Sequence, residues 1–474
     1  MPAPLAPQHP AQAHLDKLDA APMGRWQYFV WLLASGGTLL DGFSIFSLGV
    51  AMPLITSSFD LGPLMVGLIG SALVLGAVFG AAFGGPAADR FGRRPALLVD
   101  MVILAGGALL SALASDPLLV LAGQFLVGIG IGIDFPVSAS YVSETMPKRE
   151  RSRMMVATIA LQSVGMLAGA AVALTTLRLS GSLMDWRWIV GATGAGAVVF
   201  LLLRLWLPES PRWLLEHGKV QATARVVSKL TSVPVASPAH INLVQRQSGG
   251  YAVLFSSAYR KRSLLVSVPW FLMDIATYGV GLFTPVILAA IHLPSHASGP
   301  LAANFVAAEG SAAIDLFLLI GFLIGLWAVP RFGRIHMQIA GFAGMSVGML
   351  ILLFAVLGGG EAAHIALVFA GFILFNLAMN AGPNATTFTL APELFPTGVR
   401  ASASGFAAAT AKIGATLGIF MLPQIKELTG VAGVLALMAV VSALGAVMTA
   451  MLAAGIRDIP EGRGLEEVSQ AHHA

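Results

Sequence analysis

Twelve apolar runs, separated by short polar segments, set the pattern of this chain. About 20 apolar residues are enough to cross the hydrocarbon layer as a helix. The first half carries runs at 27–56, 64–86, 95–114, 118–143, 152–178 and 187–207. The second carries runs at 263–291, 307–330, 336–357, 362–392, 399–423 and 431–456. Between them 208–262 is the longest polar stretch, opening with PESPRWLLEHGK and continuing into a short amphipathic helix predicted over 220–230. The pattern predicts an all-α membrane protein of two six-helix bundles, 26–207 and 263–457, joined by a cytosolic linker, 208–262. Residues 1–25, polar and rich in Pro and Ala, read as a flexible cytosolic tail, and 458–474 as a second tail. The first apolar run is too long for a secretory leader.

Composition agrees. The chain is 57% hydrophobic and 11% charged, with a mean hydropathy of +0.82, whereas soluble domains are about a quarter charged. Its 53 glycines suit helices that pack backbone to backbone. The Gly128, Gly130, Gly132 series reads as such a packing face rather than a nucleotide loop, since it lies inside a span with no strand before it. The absence of cysteine excludes disulfides, thiolate chemistry and Cys-held metals. No ATP-binding loop G-x-x-x-x-G-K-[ST] occurs, since Gly218-Lys219 is followed by Val220. The histidines are scattered, mostly in tails and loops. A pump, an enzyme and a metal or cofactor site are therefore not expected, nor is a nucleic-acid partner. The partners expected are a small polar solute, protons and the bilayer, with the protein a monomer.

The net charge of +4 matters less than its placement. Arg90, Arg93 and Arg94 follow the second run, Lys148, Arg149, Arg151 and Arg153 the fourth, Arg331 and Arg334 the eighth, and Arg400 the tenth. The alternate loops are poor in Lys and Arg, Arg187 and Lys426 being the exceptions. The positive-inside rule then puts both termini in the cytoplasm, in what reads as a bacterial inner membrane. The halves also repeat. Glu144-Thr-Met-Pro147-Lys-Arg-Glu-Arg151 and Glu393-Leu-Phe-Pro396-Thr-Gly-Val-Arg400 share E-x-x-P-x-x-x-R, and Arg90-Phe-Gly-Arg93 matches Arg331-Phe-Gly-Arg334. Repeated bundles around a central cavity are an alternating-access architecture.

Chemistry inside the spans is sparse and costly. An ionised Asp at a helix centre costs roughly 2.5–3.5 kcal/mol, yet Asp41, Asp134 and Asp274 all fall inside predicted spans, with Lys412 beside them in composition. Three carboxylates drawn from both halves suit proton coupling, although Asp134 would equally serve to bind helix ends together. Trp270, Asp274 and Tyr278 are spaced i, i+4, i+8 and share one helical face. Lys412 either pairs with an acid or meets an anionic solute. Asp100 and Asp315, near the starts of the third and eighth runs, read as partners of nearby loops.

Gly85-x-x-x-Asp89-Arg90-x-Gly92-Arg93-Arg94 resembles the loop motif of the major facilitator superfamily. The resemblance implies the major facilitator fold of twelve helices in two pseudo-symmetric bundles. It also implies a cytosolic gate of Gly85, Asp89, Arg90, Gly92, Arg93, Glu144, Arg151, Arg331, Arg334, Glu393 and Arg400. Pro330 stands where the second half would repeat Asp89, so that latch is expected to be weaker. Pro208-Glu209-Ser-Pro-Arg212-Trp213-Leu and Pro460-Glu461-Gly-Arg-Gly464-Leu-Glu-Glu467 are similar to the sugar-porter branch, where such segments cap the bundles. The fourth, fifth, seventh, tenth and eleventh helices resemble the phosphate:proton symporters. That resemblance implies a solute site of Gln162, Trp270, Asp274, Tyr278, Asn384 and Lys412, with Asp41 and Asp134 at positions tied to proton transfer, and Asp274 among the coupling acids. Two departures loosen it: Phe135 replaces a tyrosine, and Ser44 stands where a second acid is usual. The expected function is proton-coupled symport of a sugar or organic-acid-type metabolite, the alternatives being a phosphate symporter or a solute sensor on a transporter fold.

Overall fold

The computed structural model describes residues 12–235, 250–290, 302–358, 361–454 and 456. A short α1 (Gln12–Ala20) precedes α2 (Arg25–Ala34) and α3 (Gly36–Phe59), which together form the first apolar stretch. The first bundle continues with α4 (Pro63–Phe91), α5 (Arg93–Ala112), α6 (Pro117–Thr145), α7 (Arg151–Leu179) and α8 (Asp185–Arg204). The bridging helices are α9 (Pro211–Glu216), α10 (Val220–Thr231) and α11 (Gly250–Leu254). The second bundle holds α12 (Arg260–Ala290), α13 (Ala302–Phe332), α14 (Arg334–Leu357), α15 (Glu361–Ala381), α16 (Pro383–Leu394) and α17 (Thr397–Ala454). α17 is two helices joined at Gly430, whose φ of 70° and ψ of −177° suit glycine.

Among the described residues ten stretches are long and apolar enough to cross a membrane, and Leu316–Phe332 is a shorter apolar helix. The seventh expected run lies on α12, whose side chains are described only to Tyr278. The Asp315 side chain and the 460–467 motif lie outside the described residues. Outward faces carry Phe79, Phe83, Trp188, Leu202, Val447 and Met451. Such a surface would be an aggregation liability in water, but in lipid it is the ordinary exterior. Across the halves α4 packs on α17 and α7 on α13.

Local sequence explains several joints. Asp116 caps α6 by accepting from the N–H groups of Leu118 and Leu119 at 2.9 and 3.1 Å, with Pro117 at the first helical position. Gly128 and Gly132 sit against the Leu73 and Ala77 carbonyls of α4, and a Cβ on Gly130 would lie 2.8 Å from the Asp100 carbonyl of α5. α6 therefore approaches two neighbours at once. Arg187, an exception to the charge pattern, donates to the Ala112 and Ala114 carbonyls at 2.8 and 2.7 Å and so closes the end of α5. α10 buries Val220, Thr223, Ala224, Val227 and Leu230, one amphipathic face.

The flexible tail expected over 1–25 is corrected in part, because α1 is docked. Leu18 joins a core cluster with Val227 and Leu230, and Leu15 packs with Leu215 and Val220. The polar composition of 1–25 conceals this apolar pair, which needs α10 and the bundle to cover it.

Candidate functional site

Among the described residues, buried charged side chains gather in several places, three of which bear on the expected site and gate. The central one spans both halves. Lys412 of α17 reaches Asp274 Oδ2 at 3.2 Å and the Tyr278 hydroxyl at 2.9 Å, so the face predicted on α12 meets its cation across a helix pair. Its Nζ also lies 5.4 Å from the Phe135 ring of α6, within cation–π range. Phe135 in turn packs on Trp270 and Phe388, with ring centroids 6.5 and 6.0 Å away. The missing tyrosine hydroxyl is thus replaced by an apolar aromatic wall.

On the first-half side, Gln162 Nε2 donates to Asp41 Oδ2 at 2.6 Å. Gly42 makes this possible, since any Cβ there would overlap the Gln162 carbonyl. Asp41 is in electrostatic range of Lys412, Asp274 and Asp134. Ser44 donates back to the Leu40 carbonyl at 2.6 Å and adds nothing to the cluster. Asn384 lies on the first turn of α16, after the helix break at Gly382. Its Nδ2 donates to Asn380 Oδ1 at 2.7 Å, and Asn380 continues to the Asn376 carbonyl at 3.1 Å.

The second cluster holds Asp134, and sequence reasoning missed its centre. Arg204, at the end of α8, donates to Asp134 Oδ1 at 2.6 Å and to both Asp100 oxygens at 3.0 and 2.8 Å. It also donates to the carbonyls of Leu33, Ala34 and Leu97, each within 2.8–2.9 Å. One guanidinium thus closes the exposed carbonyls at the end of α2 and ties α5 and α6 to it. Asp100 serves this core rather than a loop. The other Asp134 oxygen has no hydrogen-bond partner, and Gly37 faces the carboxylate where a Cβ would overlap it. The signal available in the sequence was an arginine inside the sixth apolar run, hidden because arginines near helix ends usually anchor in the headgroup layer.

The third cluster closes the end that carries the basic loops. Glu144 is fully buried and accepts from Arg93 at 2.9 and 3.1 Å, from Arg400 of the other half at 2.9 Å, and from Ser210 at 2.5 Å. Asp89 pairs with Arg93 at 3.0 Å and accepts from the backbone N–H groups of Ala401 and Ser402 at 3.2 and 2.7 Å. Gly85 lies against the Ala401 carbonyl, where a larger residue has no room. Gly92, with φ of 110°, turns the chain so that Glu209 can accept from Arg93 N at 3.0 Å and Arg94 N at 3.3 Å. Burial pushes the Glu209 carboxyl up, against the lowering effect of these backbone donors. In the second half Arg334 pairs with Glu393 at 2.7 Å, although Pro330 replaces the aspartate.

Arg90 and Arg331 stand outside this network, over the rings of Phe91 and Trp327 at 5.2 and 4.4 Å. Arg151, expected to latch the halves, instead donates to Asp19 of α1 at 2.5 Å. Asp19 lay in the supposed tail, so nothing in the motif pointed to it.

The family model for sugar (and other) transporters matches residues 32–468. The inner membrane metabolite transport protein YgcS of Escherichia coli is 26% identical over 452 residues, covering 94% of this chain and 95% of YgcS. A repressible high-affinity phosphate permease of Neurospora crassa is 29% identical, covering 85% of this chain and 79% of the permease. Among solved structures, the proton:xylose symporter XylE bound to 6-bromo-6-deoxy-D-glucose superposes with a TM-score of 0.77 at 19% identity, covering 94% of this chain and 99% of XylE.

Proposed function

Because the chain belongs to the sugar (and other) transporter family, we propose that it is a proton-coupled symporter moving a small polar solute by alternating access. The central cluster draws Asp41, Gln162 and Phe135 from one bundle and Asp274, Tyr278 and Lys412 from the other, and transporters of this architecture bind solute near the midplane between their repeats. Gln162, Trp270, Asp274, Tyr278, Asn384 and Lys412 form the solute site in this reading. Both termini face the cytoplasm of a bacterial inner membrane, and the gate closes the cytosolic end.

The observation that carries the substrate class is the state of Lys412. Its ammonium is already met by Asp274 at 3.2 Å, and Asp41 lies within electrostatic range. Two carboxylates against one ammonium leave no positive excess for a phosphate, and Phe135 offers no hydroxyl. Acids, an amide, a phenol and aromatic walls instead suit a neutral polyhydroxyl solute such as a sugar.

Asp41 is the proton carrier in this reading. Asp274 and Asp134 each hold a cation, whereas the hydrogen-bond donor to Asp41 is the Gln162 amide. A group without a bound cation gains and loses a proton at the smaller electrostatic cost. The test is uptake in proteoliposomes against a panel of hexoses, pentoses, carboxylates and phosphate under an imposed proton gradient. Asp41→Asn is expected to abolish gradient-driven accumulation while solute counterflow persists. Accumulation that survives Asp41→Asn removes the proton role, and uptake of phosphate alone replaces the sugar reading. No counterflow of any solute favours a sensor.

A further inference from the structure

The two halves of the gate are built from the same motif but are wired differently. Arg400 crosses to Glu144 of the first half at 2.9 Å. Its counterpart by the repeat is Arg151, and the matching carboxylate across the interface is Glu393. Arg151 does not take it. Asp19 Oδ1 holds Arg151 Nη2 at 2.5 Å and Arg212 Nη2 at 2.7 Å, while Glu393 binds Arg334 at 2.7 Å. Arg151 is only 4% exposed, and its Nε is buried without a hydrogen-bond partner. Arg212 and Arg400 crowd it with like charge, and Glu393 is within electrostatic range.

The aspartate is delivered by a docked helix rather than a wandering chain. Leu15 and Leu18 of α1 are buried against α9, α10 and the first bundle, and the Asp19 carbonyl accepts from Lys148 N at 3.1 Å. Burial works to raise the Asp19 carboxyl, but the Arg212 and Arg151 guanidiniums outweigh it and hold it below the usual range.

We infer that α1 is an intramolecular strap that competes with Glu393 for Arg151 and thereby weakens cytosolic closure. With the strap docked, one of two symmetric cross-gate ion pairs is missing, and the gate is closed by Glu144–Arg400 together with the Asp89 hydrogen bonds to Ala401 and Ser402. Freed from Asp19, Arg151 turns to Glu393 and closes the gate more firmly. α1 thus sets the balance between cytosol-closed and cytosol-open forms. The inference rests on the alternating-access reading above.

The test uses the full chain in membrane vesicles with the basic-loop face outward. The chain has no cysteine, so a single reporter is clean. Ser404→Cys suits, since Ser404 is 3% exposed and lies beside Gly405, which meets the Ala81 carbonyl across the closed interface. An impermeant maleimide labels it only when that interface opens. Asp19→Asn is expected to slow labelling about fivefold, a typical coupling between states. In a Glu393→Gln background the same change is expected to leave the rate where Glu393→Gln alone puts it. Unchanged or faster labelling with Asp19→Asn overturns the strap, as does slowing that persists without Glu393. Faster labelling in both backgrounds means that Asp19 merely staples α9 in place. Glu144→Gln separates the premise from the inference: it is expected to accelerate labelling, and an unchanged rate there overturns the gate and the strap together.

Discussion

Replacing Arg204 tests the least anticipated feature of the interior. The guanidinium makes six hydrogen bonds, three to the Asp100 and Asp134 carboxylates and three to backbone carbonyls, and is itself 0% exposed. Arg204→Leu leaves two carboxylates, at 0% and 1% exposure, facing each other without a cation. Removing one partner of a buried ion pair costs about 3–5 kcal/mol, and each abandoned carbonyl adds about 1–3 kcal/mol unless water reaches it. Arg204→Lys is no remedy, because one compact ammonium with three donors cannot span two acids and three carbonyls. Thermal unfolding of the detergent-solubilised variants, followed by loss of monodisperse protein, gives the ranking. Arg204→Leu is expected to fall furthest, and Arg204→Leu with Asp134→Asn to recover part of the loss because one unpaired charge is gone. A single variant as stable as the parent, or a double variant worse than the single one, refutes the argument that Arg204 acts by neutralising Asp134.

Phe135→Tyr puts a hydroxyl beside Lys412 and Trp270; it is expected to strengthen phosphate competition about tenfold, one hydrogen bond to a charged group being worth about 1.5–3 kcal/mol. Phosphate binding that does not change would separate this chain from the symporters whose helices it resembles. Gly85→Leu drives a side chain into the Ala401 carbonyl, so the gate should fail to close, seen as faster Ser404→Cys labelling together with lost accumulation. Labelling at the parent rate would mean that this contact is not part of closure. The Asp19 carboxyl is held below its ordinary value of 3.8, so its docking contributes stability above that pH and loses it as the pH falls through the depressed folded value. Hydrogen exchange should therefore show α1 protected down to about pH 3.9 and released below it, with no such transition in Asp19→Asn.

Much of the molecule was legible in the linear pattern. Length and apolarity decide which segments enter lipid, because an unpaired backbone there must become helix. The repeated motifs located Arg93, Glu144 and Arg400 at one end, and the loop motif added Asp89, since a local motif carries its own spacing. Spacing also put Trp270, Asp274 and Tyr278 on one face. The choice of partner was not legible. Whether Lys412 meets an acid or a solute, whether Asp134 faces a cavity or Arg204, and whether Arg151 crosses the gate or binds Asp19 depend on residues 138, 70 and 132 positions apart in the chain or lying on another bundle. Such pairings follow from how helices dock, and docking is decided by glycine faces and buried ion pairs acting together. The cost of a carboxylate at Asp134 inside a span is met in that way: Arg204 offsets the charge, and only the folded bundle brings the two together.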